Sequence, residues 1–257
     1  MAQGPEVRSA TTDGELTALS HDPQDSIRKA GRADAAARRD GFLELAAACG
    51  VLRFGDFELK SGRRSPYFFN AGEFHDGPAL DAIGAAYADT IIDADFDFDV
   101  LFGPAYKGIP LAVAAAIALS RRHRIDCGVA YNRKERKDHG EGGQLVGASL
   151  TGRVLLVDDV ITAGTAIREV LPLIEGAGGE LVGIVTALDR QERGQQGERS
   201  ATQELAASLR VPVVSIVTLA DLVDWLDVSQ RADALEARAD IAAYRSRYGV
   251  VGEGVRT

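Results

Sequence analysis

A chain of 257 residues, 46% of them hydrophobic, is long enough for one large domain or a domain with a small accessory piece, and too apolar for wholesale disorder. Its formal net charge of −9 argues against a general nucleic-acid or membrane-surface binder, so any polyanion must be met locally by a few placed Lys and Arg residues. Cys49 and Cys127 are too few for a disulfide framework or a zinc cluster and read as core residues of a reducing compartment. No apolar run reaches membrane-spanning length and the first residues lack the apolar core of a secretory signal, which makes the cytoplasm the expected location.

In chain order, residues 1–35 are polar, rich in Ser, Thr, Asp and Gly, and carry no period, so they read as a mobile extension. Over 34–49 the apolar residues Ala37, Phe42, Leu45 and Ala48 share one helix face, and Gly50 suits its end. Residues 51–70 read as two short strands broken by the turn-like Lys60-Ser61-Gly62-Arg63, and 80–92 as a second helix. Beyond them strand and helix alternate. The strands are expected over 98–103, 126–131, 153–158, 180–188 and 212–218, and the helices over 109–122, 163–176, 202–210, 219–226 and 231–247. Short, nearly continuous apolar strands between helices predict an α/β fold with a mainly parallel sheet covered on both faces. Pro172 should kink or shorten its helix. The folded domain is expected over 36–250, with 251–257 a tail. The polar stretch 132–147 is long for a connection inside a compact domain; such loops are functional lids or disordered segments.

The strongest chemical signal is VLLVDDVITAGT over 154–165, an apolar strand ending in two carboxylates, followed by a small-residue loop that opens a helix. Ligands of open α/β sheets sit at the carboxyl ends of strands. Loop amides and a helix start at Thr162–Thr165 form a nest for an anion such as phosphate. Two aspartates facing a phosphate would repel it, but they suit the hydroxyl groups of a ribose carried beside one. A bare Asp-Asp pair would ordinarily be solvated strand end; the whole string is far more specific.

This string resembles the phosphoribosyl-pyrophosphate signature of type I phosphoribosyltransferases. Further matches narrow the resemblance to the orotate phosphoribosyltransferase family: LKSGRRSPYFFNAG over 59–72, GPAYKGIPL over 103–111, NRKERKDHGEGG over 132–143 and LDRQERG over 188–194. They occur in the family's order across about 41–248, and the polar N-terminal extension is the visible departure. The resemblance implies a core parallel sheet with flanking helices and a small hood drawn largely from 36–75. It also implies transfer of ribose phosphate from phosphoribosyl pyrophosphate to orotate in pyrimidine biosynthesis, by homodimers whose lid closes over the neighbour's site.

The same resemblance assigns roles. Phosphoribosyl pyrophosphate would be held by Lys60, by Tyr106 and Lys107 in the second Gly-rich turn, and by Arg133, Lys134, Lys137 and His139 in the lid. Asp158, Asp159, Val160, Ile161, Thr162, Ala163, Gly164, Thr165 and Ala166 complete that set. Lys137, His139 and Asp159 are the expected catalytic contacts. Orotate would meet Phe68, Phe69, Thr162 and Arg190, the guanidinium fork suiting its carboxylate. Magnesium would bridge substrate oxygens with no direct protein ligand, since it keeps its waters reluctantly. A charge run such as 132–139 is ordinarily solvated surface, but a mobile cationic loop suits a departing pyrophosphate, whose charge is best neutralised in the transition state. His21, His75 and His123 match no role and read as structural or surface. Two other readings stay open at this point: a transferase of the same fold acting on a purine, and a regulator that binds phosphoribosyl pyrophosphate without turnover and controls transcription. The second lacks a visible helix-turn-helix or basic stripe.

Overall fold

A computed structural model of the chain describes residues 23–59, 62–137, 143–162, 164–194, 197 and 199–250, the side chains of 23–33, 136 and 137 excepted. The chain divides into two units, Met1–Ala36 and Ala37–Thr257. Lys60, His139, Ala163, His21 and the tail 251–257 lie outside the described residues, as do most of the N-terminal residues read as an extension.

The first helix, α1, spans Pro23–Ala48 and so begins well before the expected residue 34. Pro23 stands at its first position, where a proline is pre-set for helix, and the alanines from Ala30 to Ala37 are strong helix formers without needing an apolar period. Within the second unit, Phe42, Leu43, Ala46 and Ala47 of this helix are buried. Strands β1 (Leu52–Glu58) and β2 (Arg64–Phe69) form an antiparallel two-stranded sheet of their own. Alternation sends Ser65, Tyr67 and Phe69 inward, and the Phe69 ring lies 6.5 Å from that of Phe42.

After α2 (Gly77–Asp93) come β3 (Val100–Gly103), α3 (Gly108–Ala118), β4 (Gly128–Lys137), β5 (Gly143–Gly147), β6 (Gly152–Val160), α4 (Thr165–Gly176), β7 (Gly179–Asp189), α5 (Ala201–Leu209) and β8 (Val213–Thr218). The chain closes with α6 (Leu219–Val228) and α7 (Ala232–Tyr248). Six strands form one sheet in the order β5-β4-β3-β6-β7-β8, parallel throughout except for the antiparallel pair β4/β5. The expected mainly parallel sheet is present, and both of its faces are buried. Leu101, Leu155, Val157, Val185 and Ala187 pack on one side with α2, α3 and α6. Phe102, Val154, Leu156 and Ile184 pack on the other against Ile167, Val170 and Ile174 of α4 and Leu205 of α5. This double burial is why these strands read as continuous apolar runs.

Two local expectations change. The polar stretch over 132–147 is largely an edge hairpin, because β4 runs on to Lys137 and pairs with β5, Asn132 opposite Leu145 and Lys137 opposite Gly143. Its residues 132–137 carry no apolar alternation, and the ladder is irregular between Asn132 and Lys137. Helix α4 continues through Pro172 to Gly176, so the proline does not end it.

From β3 the chain moves to β4 on one side, while β6, β7 and β8 lie on the other. The carboxyl ends of β3 and β6 therefore flank a switch point, where open α/β sheets form a crevice. The turn out of β3 is tight: a Cβ on Gly103 would lie 2.2 Å from the Gly108 carbonyl oxygen, which is backbone and has no room to swing away. Gly103→Ala should therefore lower stability by about 1–3 kcal/mol, the usual range for overpacking. Urea denaturation should give a lower midpoint at unchanged slope; a variant with the midpoint of the parent chain would contradict the close approach.

Candidate active site

The turn from Gly103 to Gly108 presents Tyr106, 65% exposed, and the half-exposed Lys107 above the end of β3. Its peptide bond Ala105–Tyr106 is cis. Three contacts bind this turn to its neighbours. The Ala105 amide donates to Asn132 Oδ1 at 2.9 Å, Lys107 Nζ meets Asp159 Oδ2 at 2.9 Å, and Lys134 Nζ lies 5.2 Å from the centre of the Tyr106 ring. The first and third tie the turn to β4, the second to β6.

At the end of β6 stand Asp158 and Asp159. Asp158 Oδ1 accepts the Asp159 amide at 2.9 Å and Asp159 Oδ1 accepts the Val160 amide at 2.8 Å, so each carboxylate is anchored at one oxygen. The fully buried Tyr87 of α2 donates its hydroxyl to the Asp158 carbonyl at 2.7 Å, fixing the strand end from behind. Burial, and then the charge of Asp159, push the Asp158 carboxyl up to about 7, against the opposing pull of the Asp159 amide and Lys107.

The following loop is built to expose backbone. The Ile161 side chain is buried and can present only main chain, Val160 is half-buried, and Thr162, Thr165 and Ala166 are exposed. Gly164 takes φ 67°, the left-handed region, and no side chain caps the start of α4. The first amides of that helix thus lack intrahelical acceptors and side-chain caps, which suits an anion.

The residues expected at the base separate. Phe69 turns into the core, whereas the half-buried Phe68 lies on the other face of β2, 5.4 Å from the Phe57 ring, with Arg53 5.6 Å above it. Phe69 can therefore offer a ligand its backbone, not its ring. Arg190, just past β7, is buried and engaged: Nε meets Glu192 Oε1 at 2.6 Å, Nη2 donates to Ser65 Oγ at 3.0 Å, and its guanidinium lies 4.3 Å from the Tyr67 ring centre. The lid strand carries the half-buried Arg133, the exposed Lys134 and the backbone of Lys137, whose side chain, like His139 and Lys60, is not among the described ones. His75 Nδ1 contacts the Glu73 carbonyl and His123 Nε2 contacts Asp89, away from these groups.

Sequence reasoning overlooked Tyr87, Asn132, Ser65, Glu192 and Tyr244, whose hydroxyl donates to Glu192 Oε1, as parts of this region. Ser65, Asn132 and Glu192 lie inside motifs already noted, which was a usable signal; Tyr87 and Tyr244 carry none, since each reaches the site only through the tertiary fold.

The phosphoribosyl transferase domain model matches residues 70–205. An orotate phosphoribosyltransferase of Stutzerimonas stutzeri is 57% identical over 211 residues, spanning 81% of this chain and 97% of the relative. One from Pseudomonas aeruginosa is 55% identical over 209 residues, with the same coverage of 81% and 97%. Among solved structures, the orotate phosphoribosyltransferase of Francisella tularensis is similar with a TM-score of 0.71 and 39% identity, over 81% of this chain and 98% of that one.

The Asp158 environment has a consequence for stability. A carboxyl whose folded value is raised keeps its proton longer in the folded chain, so its contribution is fully present below the unfolded value near 4 and is lost as pH rises through about 7. Stability from this group should fall across that window by at most about 1.4 kcal/mol per pH unit. Asp158→Asn should remove that slope, and melts of both proteins from pH 4 to 8 measure the difference; identical pH profiles would refute the raised value.

Proposed function

This chain belongs to the orotate phosphoribosyltransferases of the phosphoribosyl transferase family, and we propose on that premise that it transfers ribose 5-phosphate from phosphoribosyl pyrophosphate to orotate. The products are orotidine monophosphate and pyrophosphate, in pyrimidine biosynthesis. The observation that carries the reading is the Lys107–Asp159 pair, which joins the β3 turn to the paired acids of β6 at the sheet's switch point.

In the reaction the bond from the anomeric carbon to pyrophosphate breaks as one forms to a ring nitrogen of orotate, through an oxocarbenium-like state. Asp158 and Asp159 have the acceptor oxygens that ribose hydroxyls need. The Val160–Ala166 loop, with Thr162 and Thr165 hydroxyls and uncapped amides, suits the 5-phosphate. Tyr106 and Lys107 are assigned to the pyrophosphate, together with Arg133, Lys134, Lys137 and His139 of the lid. Lys137, His139 and Asp159 are the proposed catalytic contacts, and Lys60 is assigned to the junction of base and ribose. Orotate is assigned to Thr162, to Phe68 and the backbone of Phe69, and to Arg190.

Magnesium fits the chemistry of this site: Asp158 and Asp159 offer hard carboxylate oxygens that can accept hydrogen bonds from the waters such an ion keeps. The ion would supply charge neutralisation of the pyrophosphate oxygens when bound. No described helix is long and apolar enough to cross a membrane, and we place the enzyme in the cytoplasm. We assign the chemistry to residues 36–250, with the hood over 36–75.

Turnover with orotate, uracil and purine bases tests the reading: orotate alone should be used, and a chain lacking Met1–Gly31 should work at a similar rate. Use of a purine in preference to orotate would overturn it. Arg190→Ala should weaken orotate by about 2–5 kcal/mol, as loss of a buried charged partner does, and leave phosphoribosyl pyrophosphate largely unaffected. Equal rises in both apparent constants would remove Arg190 from the carboxylate.

We further propose a homodimer in which the lid of one protomer closes over the other's site, as an isologous contact allows. Mixing inactive Lys137→Ala and Arg190→Ala proteins should then restore activity, because each mixed dimer has one intact site. Differently tagged chains confirm exchange; mixed dimers without activity would rule out the shared site.

A further inference from the structure

We propose that Glu192, itself held by Tyr244, is the positioning residue that aims Arg190 at the carboxylate of the base; this rests on the reading of Arg190 given above. The guanidinium of Arg190 is only 8% exposed at its side chain, so its charge must be met inside the protein. Glu192 meets it with Oε1 at 2.6 Å from Nε, and Glu192 is itself 13% exposed. The same oxygen accepts the Tyr244 hydroxyl at 2.8 Å, and Oε2 faces Arg63 Nη1 at 3.5 Å. Ser65 Oγ accepts from Nη2 of Arg190 at 3.0 Å and donates to the Tyr67 carbonyl at 2.7 Å, while the Tyr67 ring supports the guanidinium face.

The arginine is thus held at Nε, at Nη2 and on one face by β2 and the segment just past β7, while Tyr244 of α7 stands against both Glu192 and Arg190. A guanidinium is a rigid planar fork, so holding Nε and Nη2 also sets the direction of Nη1. Pre-setting that direction spares an incoming planar carboxylate the ordering of a long side chain. Glu192 itself carries the negative charge that lets Arg190 remain buried before any anion arrives. Tyr244, the donor that holds Glu192, makes the C-terminal helix part of base recognition without touching the base.

Tyr244→Phe keeps the ring and removes only the hydroxyl; Glu192→Gln keeps an acceptor for Nε and removes the charge. Both should fold, whereas Glu192→Ala would leave a buried cation unpaired. Each is expected to raise the KM for orotate about three- to tenfold, the scale of one lost hydrogen bond. The KM for phosphoribosyl pyrophosphate and kcat should stay within about twofold, because the ribose site shares none of these contacts. Unchanged orotate KM in both variants would overturn the proposal. So would parallel rises for both substrates, the mark of a merely structural pair, or a lower orotate KM in Glu192→Gln, which would make Glu192 a competitor of the substrate. Arg190→Ala measured alongside separates the two readings. A selective orotate defect there, with none in the other two variants, ends the role of Glu192 alone; no selective defect there ends both.

Discussion

Val154, Leu155, Leu156 and Val157 are sealed from water, and the next two residues of the same strand are aspartates. That abrupt change sets the terms for the crevice. Two adjacent carboxylates at the rim of a dry sheet lose hydration and repel each other, which pushes the Asp158 carboxyl up to about 7. The surroundings offset this only in part. The Asp159 and Val160 amides bind one oxygen of each acid, Lys107 binds the second oxygen of Asp159, and Tyr87 pins the backbone behind them. Acceptor capacity is left over on the acids, and neighbouring hydroxyl groups of a sugar are donors of the right kind to use it. The same burial and repulsion that penalise two charged acids at the end of β6 therefore favour ribose hydroxyls there.

Lys107 reaches Asp159 only because the chain turns out of β3 with no side chain at Gly103 or Gly108 to hold it off. The turn is also tied to β4 through Asn132 and through Lys134 over Tyr106. Since β4 continues outward into the edge hairpin with β5, the proposed pyrophosphate turn and the proposed lid share a strand. Movement of the hairpin would be felt at Ala105 and Tyr106 directly, without a longer chain of contacts between them.

Much of this was legible in the sequence because it is local. The strand, the two acids, the small-residue loop and the helix start occupy one uninterrupted string, and the backbone geometry follows from residue types at fixed spacing. The central strands were legible because burial on both faces leaves continuous apolar runs. The extension of β4 through Lys137 was not, because past Tyr131 the strand no longer pairs with β3 and its charged residues, without apolar alternation, read as loop. Nor was the early start of α1, which depends on alanine propensity rather than a period. Phe68 and Phe69 illustrate the intermediate case: alternation foretold opposite faces, but only the packing against Phe42 tells which of the two is core.

The least legible part is the setting of Arg190. Ser65 stands 125 residues before it in the chain, and Tyr244 lies 52 residues from Glu192, so no window of sequence contains the cluster. This divides the crevice into two kinds of recognition. The groups proposed for ribose and phosphate lie on contiguous loops and depend on two strand ends, a geometry any chain with this sheet and these motifs can reproduce. The group proposed for the base is aimed by a hairpin outside the main sheet and by the last helix, neither of which belongs to the alternating strand-helix core. A substitution on α7 or β2 can therefore re-aim Arg190 while leaving β6 and its acids as they are. Base selectivity is then the property most exposed to change in the outlying elements, and ribose phosphate recognition the one most firmly tied to the central sheet.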